Sequence, residues 1–300
     1  MPTVSVILPV YRSAATLGRS LEALRRQTFR DFEVIIMDSS PDQACDSIVA
    51  RHFPEAKYSH SPKRLFADAA SNRGIAMATG ELLVFTDPDA YPRKDWLEGL
   101  VSSHSRFGGA MVGGVACYGR KRIDLGAHFC KFDKWLPGGE ARRLKEGPTV
   151  NLMVPSELIS QVGGFIKQQQ HADTDLCWRL REQGVELWSV PQAIVEHHHL
   201  HTWRSLLQER YSRGHGYGRM ELEWKPRSSR AIIWRLLVSV LPLRLLSQIW
   251  RVGKNAARAG MLTEYALALP LIATGLYAWL LGEASFLSRR ILSRSLGRTA

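Results

Sequence analysis

The chain has 300 residues, of which 45% are hydrophobic and 23% charged. That is enough apolar content for a substantial core, and it excludes a disordered or collagen-like chain. The net charge of +12 is uneven: residues 1–200 hold 24 Lys+Arg against 23 Asp+Glu, and residues 201–300 hold 16 against 5, so the last third is the part suited to meeting anions.

The stretch "MPTVSVILPVY" enters a strand pattern at once, with no basic segment and long apolar run ahead of it, so the first part of the chain is expected in the cytosol. Short apolar runs then alternate with helix-period segments: "VSVILPV", "AATLGRSLEALRRQ", "FEVIIMD", "DQACDSIVARHF", a weak strand near "AKYSH", "LFADAASNRGIAMATG" and "ELLVFTD". Such alternation predicts an α/β fold, a parallel sheet with crossover helices, in which ligands sit at the carboxyl ends of strands. Three polar strand ends, at Pro9 to Tyr11, Asp38 to Ser40 and Asp87 to Asp89, are expected to meet at one rim.

After Trp96 a helix is followed by the Gly-rich "GGAMVGGVACYG", an irregular section with "KWLPGGEARR", and a strand–helix unit in "PTVNLMVPSELISQVGGF". In "ADTDLCWRLREQG" Leu176, Cys177 and Leu180 mark a buried helical face and Gly184 a stop. "VELWSV" and "AIVEHHH" read as strands. Trp203, Leu206, Leu207 and Tyr211 fall on one helical stripe. The cysteines Cys45, Cys117, Cys130 and Cys177 form no Cys-x-x-Cys pair and suit buried thiols in a reducing compartment.

Beyond Arg227 the chain changes character. "AIIWRLLVSVLPLRLLSQIW" is interrupted by Arg235, Pro242 and Arg244, and its second half sets Arg244, Ser247, Gln248 and Arg251 opposite leucines, the pattern of a helix lying in a membrane interface. Tyr265 to Gly282 is free of charge for 18 residues, the lower edge of a span. Basic residues flank that run on both sides (Arg251, Lys254 and Arg258; Arg289, Arg290, Arg294 and Arg298), which favours monotopic or re-entrant attachment over a single crossing. An apolar helical hairpin packed on the rest of the protein is the alternative.

Asp87 and Asp89 leave an extended segment two residues apart and point to one side. Two ionised carboxylates that close repel each other unless a cation relieves them, and hard oxygen ligands favour Mg²⁺ or Mn²⁺. A plain polar Asp-Pro-Asp turn is the alternative. No G-x-G-x-x-G follows the first strand and no G-x-x-x-x-G-K-[ST] occurs, which disfavours a dehydrogenase and a P-loop enzyme.

"VSVILPVYRSAATLGRSLEAL", "FEVIIMDSSPD", "SNRGIAMATGELLVFTDPDA" and "ADTDLCWRLREQG" occur in this order and spacing, and together they resemble the family 2 glycosyltransferases of the GT-A fold over roughly Thr3 to Arg219. The resemblance implies a mixed α/β sheet flanked by helices, here followed by C-terminal amphipathic and hydrophobic helices. The expected division is a catalytic domain over 1–220, with a donor half (1–118) and an acceptor half (119–220), and a basic, membrane-associating helical region over 221–300.

The resemblance also implies roles. Pro9 and Tyr11 look like residues flanking the nucleotide base, and Asp38 like the acid that accepts a hydrogen bond from it, although Ser39 stands where a second acid often follows. Asn72, Arg73 and Gly74 resemble the "RN-x-G" helix beside the nucleotide, with Ser71 in place of its usual basic residue. Asp87 and Asp89 match the DxD motif, Asp89 as direct metal ligand and Asp87 toward the ribose or the metal's water. Asp173 is the candidate general base, with Asp175 as the fallback and Ala172 in place of the usual acidic neighbour; a helix-capping Asp is the bland reading. His197 or His199 would complete the metal site. Trp135 would stack on a sugar, and Arg142 or Arg143 would meet diphosphate, unless that loop is simply solvated.

The function expected is transfer of one sugar from a nucleotide-diphosphate donor to a hydroxyl on a lipid-linked or cell-envelope glycan. It would be a metal-dependent inverting displacement at the cytoplasmic face of an anionic membrane, with peripheral or monotopic attachment favoured and a single span the alternative. "QERYSRGHGYGR" lacks the tryptophan of the processive enzymes' Gln-x-x-Arg-Trp motif, which argues against polymerisation. A catalytically weak scaffold on the same fold is the alternative. Nucleic acid is not expected as a partner, because the basic residues of the last third are interleaved with leucine-rich runs.

Overall fold

The computed structural model describes residues 2–166 and 170–295. In chain order the elements are β1 (Val4–Val10), α1 (Ala14–Arg25), β2 (Phe32–Asp38), α2 (Ala44–His52), β3 (Lys57–His60), α3 (Ala67–Met77), β4 (Leu82–Phe85), β5 (Ala90–Pro92), α4 (Trp96–Phe107) and β6 (Ala110–Cys117). Then come α5 (Arg122–Phe132), β7 (Arg143–Leu144), β8 (Leu152–Pro155), α6 (Ser156–Gln161), α7 (Ala172–Glu182), β9 (Leu187–His197), α8 (Trp203–Trp224), α9 (Ser229–Val240), α10 (Pro242–Arg258) and α11 (Leu262–Ser295). Arg298 lies outside the described residues. The chain forms two compact units, residues 1–118 with 135–198, and residues 119–134 with 199–300.

In the first unit a mixed sheet runs β3-β2-β1-β4-β8-β6-β9-β5, with β7 paired to β9. β1 lies parallel between β2 and β4, and β8 is antiparallel to both β4 and β6. Val4, Val6, Ile7 and Leu8 are all fully buried, as expected of a parallel strand covered on both faces. One face packs Ile7, Ile35, Leu83, Phe85 and Val112 against Ala70, Ile159, Leu176 and Leu180 of the following helices. The helix α1 buries Leu17, Leu21 and Leu24, one face at helical spacing. Because β2, β1 and β4 are parallel, with Val10 opposite Asp38 and Ile7 opposite Phe85, their carboxyl ends share a rim.

Two sequence expectations need correction. "VELWSV" and "AIVEHHH" belong to one strand, β9, which pairs in parallel with β6 and carries an irregularity: Gly113 faces Val190, whereas Gly114 faces Ile194. Pro191 lies in the residues looped out there, where its missing N–H costs no ladder bond. The second correction concerns α8, whose buried residues are Leu206, Arg210, Gly214, Gly216, Gly218 and Met220, while Trp203 and Tyr211 of the expected stripe are exposed.

The second unit is helical. A Cβ added at Gly214 would meet the backbone oxygen of Trp279, and one at Gly282 that of Tyr211, so glycines let α8 and α11 cross backbone to backbone. Fully buried Glu283 on α11 is hydrogen-bonded to Arg235 of α9 at 2.8 Å and paired with Arg244 of α10 at 2.7 Å. Among the described residues α11 is long and apolar enough to cross a membrane, and α9 and α10 meet at a 68° bend.

Candidate active site

The first unit's rim carries the acids. At the end of β4 the Asp87 carbonyl accepts from the Ala90 N–H at 3.0 Å, closing a turn with Pro88 at its second position, where a fixed φ is favourable. That turn presents both side chains, and the register of β5 with β9 sets Ala90 opposite His197. Asp87, Asp89 and His197 each bring one potential ligand atom within 4.8 Å of the others. His197 Nε2 lies 3.6 Å from Asp89 Oδ1, His197 is buried, and both acids are half-buried. Two hard carboxylates and one imidazole in that space make a donor set that would suit Mn²⁺ or Mg²⁺. His199 lies in the second unit, where its Nε2 is 3.2 Å from His128 Nδ1.

Asp38, at the end of β2, is fully buried. Its Oδ1 accepts from the Ser40 N–H and its Oδ2 from the Tyr58 hydroxyl, each at 2.8 Å. Burial and the neighbouring Asp38 push the Tyr58 phenol up from its ordinary range. Tyr11 is half-buried, and the Arg64 and Arg12 guanidiniums stand 4.5 and 5.4 Å from its ring centre. Arg12 holds a left-handed φ of 53° while its N–H donates to Ser40 Oγ at 2.7 Å. Strain of this kind in a non-glycine residue persists only where the surroundings enforce it. Pro9 is half-buried one residue earlier on β1 than Val10.

The α3 residues separate. Asn72 is a clamp, its Nδ2 donating to the Phe165 carbonyl at 2.7 Å and its Oδ1 accepting the Phe165 N–H at 2.8 Å. Arg73 is exposed. Gly74 is there for space, since a Cβ would sit 2.5 Å from Ile7 Cγ2 on β1.

The two acids of α7 also differ. Asp173 is half-buried in the first turn, its Oδ1 accepting the Thr174 N–H at 2.8 Å. Asp175 is buried and paired with Arg179 at 2.8 Å, one helical turn away. Arg179 further donates to the carbonyls of Val162 and Gly164, fastening the segment ahead of α7. His171, just before the helix, has a φ of 62°. Trp135 Nε1 donates to the Glu146 carbonyl at 3.1 Å, Arg143 pairs with Glu186 at 2.7 Å over the Trp188 ring, and Arg142 is exposed with its carbonyl bonded to Ser189 N–H.

The sequence reading missed Tyr58, Arg64 and Arg179. The i,i+4 spacing of Asp175 and Arg179 was a legible signal for the last; Tyr58 and Arg64 emerge only once β3 is laid beside β2.

Comparison with known proteins gives the family and the fold. The model of glycosyl transferase family 2 matches residues 5–156. The chain is 30% identical over 233 residues to a pre-mycofactocin glycosyltransferase of Mycobacterium tuberculosis, an alignment that covers 72% of this chain and 46% of that protein. It thus spans about half the length of that relative. It is 27% identical over 276 residues to the glycosyltransferase AglE of Haloferax volcanii, covering 86% of this chain and 89% of the relative. Its fold matches a mannosyltransferase of Pyrobaculum calidifontis solved with GDP-Man and Mn²⁺, with a TM-score of 0.62 and 20% identity over 95% of this chain and 86% of that one. The chain belongs to glycosyl transferase family 2 and has the GT-A fold.

Proposed function

We propose that the protein transfers a sugar from a nucleotide-diphosphate donor to an acceptor hydroxyl by a single inverting displacement, and that Asp87, Asp89 and His197 hold a divalent cation, Mn²⁺ or Mg²⁺. The observation that carries the reading is the convergence of those three side chains within 4.8 Å at the carboxyl end of β4. When bound, the cation supplies neutralising charge for a diphosphate leaving group. One imidazole among the ligands favours Mn²⁺.

Asp173 is the general base in this reading. Its carboxylate is half-buried and oriented by the Thr174 N–H, whereas Asp175 is committed to Arg179. The acceptor hydroxyl gives its proton to Asp173 as its oxygen bonds the anomeric carbon, and the bond from that carbon to the diphosphate oxygen breaks. Tyr11, framed by Arg12 and Arg64, and Asp38, held by Tyr58, form the nucleotide end of the site, with Pro9 and Arg73 beside them. The Asn72 clamp on Phe165 positions α3 there. Trp135, Arg142 and Arg143 are assigned to the acceptor or diphosphate side.

Residues 221–300, which belong to the second unit, are assigned to the cytoplasmic face of an anionic membrane, and the acceptor to a lipid-linked or envelope glycan. The relatives support the transferase reading, since each is named a glycosyltransferase.

The test is donor hydrolysis and thermal shift with UDP-, GDP- and dTDP-sugars, with and without Mn²⁺. A ligand that binds the folded state raises its melting temperature. The wild type should respond to one donor class only with metal, and Asp89→Ala should lose both the shift and the turnover. An unchanged response in Asp89→Ala refutes the metal site.

A further inference from the structure

A second binding feature lies in the first unit, along α1. A groove of about 520 Å³ runs between α1, the end of α2 and the β5–β9 pair, a volume in the range of ligand sites. Ala14, Ala15 and Gly18 leave it open, and three arginines, Arg19, Arg26 and Arg93, reach into it. Tyr91 pairs with Glu196 one place along from Ala90 and His197, so alternation turns Tyr91 and Glu196 to the face of the β5–β9 pair opposite His197. The groove is therefore separate from the cation site.

The arginines are not equivalent. Arg26 has Glu22 at 3.5 Å and Arg93 has Glu196 at 3.1 Å. Arg19 has neither a hydrogen bond nor an ion pair among the described residues. Its guanidinium is instead held over two rings, 4.4 Å from the centre of Tyr118 and 5.0 Å from that of Tyr91. Those rings meet edge to face at 4.9 Å, and the Tyr91 hydroxyl is bonded to His198 Nδ1 at 3.0 Å. Aromatic faces fix the plane of the cation and use none of its N–H donors, which stay available in a fork that matches a carboxylate or a phosphate. Pre-organisation lowers the ordering cost that an exposed arginine ordinarily pays on binding.

We propose that this groove is an oxyanion-binding site in which Arg19, clamped on Tyr91 and Tyr118, takes a carboxylate or phosphate group of a glycan or glycan-linked ligand. Calorimetric titration of the full-length protein in detergent, at low ionic strength, with inorganic phosphate and separately with glucuronate, tests it. The wild type should bind at least one of the two saturably, Arg19→Ala should weaken it tenfold or more, and Arg19→Lys should fall between, since an ammonium keeps the charge and loses the fork. Preference for phosphate assigns a phosphorylated ligand, and preference for glucuronate an acidic sugar. Asp89→Ala should retain this binding, and Arg19→Ala should retain the metal-dependent nucleotide response, so the two sites fail separately. Absence of saturable binding in the wild type, or wild-type affinity in Arg19→Ala, overturns the proposal.

Discussion

Asp173 and Asp175 sit two residues apart, yet their surroundings give them different work. Replacing Asp173 by Asn keeps its shape and removes its basicity, so kcat should fall by about 10² to 10⁴, the usual contribution of a general base, with donor KM and melting temperature close to wild type. Asp175→Ala should act on stability, because it strands the Arg179 charge and loosens the Val162–Gly164 segment; urea unfolding should register a loss of about 3 kcal/mol. Steady-state kinetics beside denaturation curves separates the two, and a stable, inactive Asp175→Ala would reverse the assignment. The pair Asp87 and Asp89 was legible in the sequence, but its geometry was not: the acids sit on the turn closed by Asp87 and Ala90, past the end of β4, and not on an extended segment whose alternation would align them. The choice between His197 and His199 was not legible, since both share the parity of the strand; only the pairing of β9 with β5 brings His197 beside the acids.

At the scale of elements, the parallel strands β1, β2 and β4 were readable as apolar runs between helix-period segments, and the small residues of α3 now have a reason. Gly74→Ala drives a methyl to 2.5 Å from Ile7 Cγ2, and overpacking of this kind typically costs about 1–3 kcal/mol, measurable in urea. If Gly74→Ala proves as stable as wild type, the close α3–β1 approach is not what fixes that glycine. Glu33 ties three further pieces to the sheet edge. Burial by itself would raise its pKa, but Lys57, the Ser5 hydroxyl and both donors of Thr79 outweigh that and hold it down, from the ordinary 4.5 to about 2. Unfolded, Glu33 takes up its proton near pH 4.5; folded, it does so near 2. The stabilisation is therefore complete above 4.5 and lost as pH falls toward 2, and Glu33→Gln should flatten the fall in melting temperature over that interval. The antiparallel β8 and the looped-out residues of β9 were beyond a local reading, because their pairing with β4 and β6 depends on partners distant in sequence. The burial of α8 was hidden for another reason: its glycines pack by closeness of backbone, which carries no hydrophobic signal.

The whole molecule concentrates its net positive charge in residues 201–300, and α10 shows why that matters. The polar side of this helix points inward: Arg244 bonds Glu283 and Ser239, and Arg251 with Asn255 holds Asp133 at 2.9 to 3.3 Å. Its apolar side points outward, with Leu243 72% and Trp250 67% exposed, and Trp234 on α9 is 70% exposed. In water this arrangement is inverted, since a surface helix ordinarily buries its leucines and displays its charges. The bilayer interface proposed above would resolve the inversion: the apolar side would enter the headgroup boundary, and exposed Arg230, Lys254 and Arg258 would meet anionic lipid at about 1 kcal/mol each. The contribution of two tryptophans, each worth about 1.5–3 kcal/mol when buried, implies that Trp234→Ala with Trp250→Ala should lower partitioning onto phosphatidylglycerol liposomes by at least about tenfold. Flotation in rising salt should remove the charge-dependent part and leave the tryptophan-dependent part, because screening acts on the arginines and lysine alone. If the double variant floats like the wild type, the outward side of α9 and α10 is not the membrane contact, and attachment then falls to α11, the helix long and apolar enough to span.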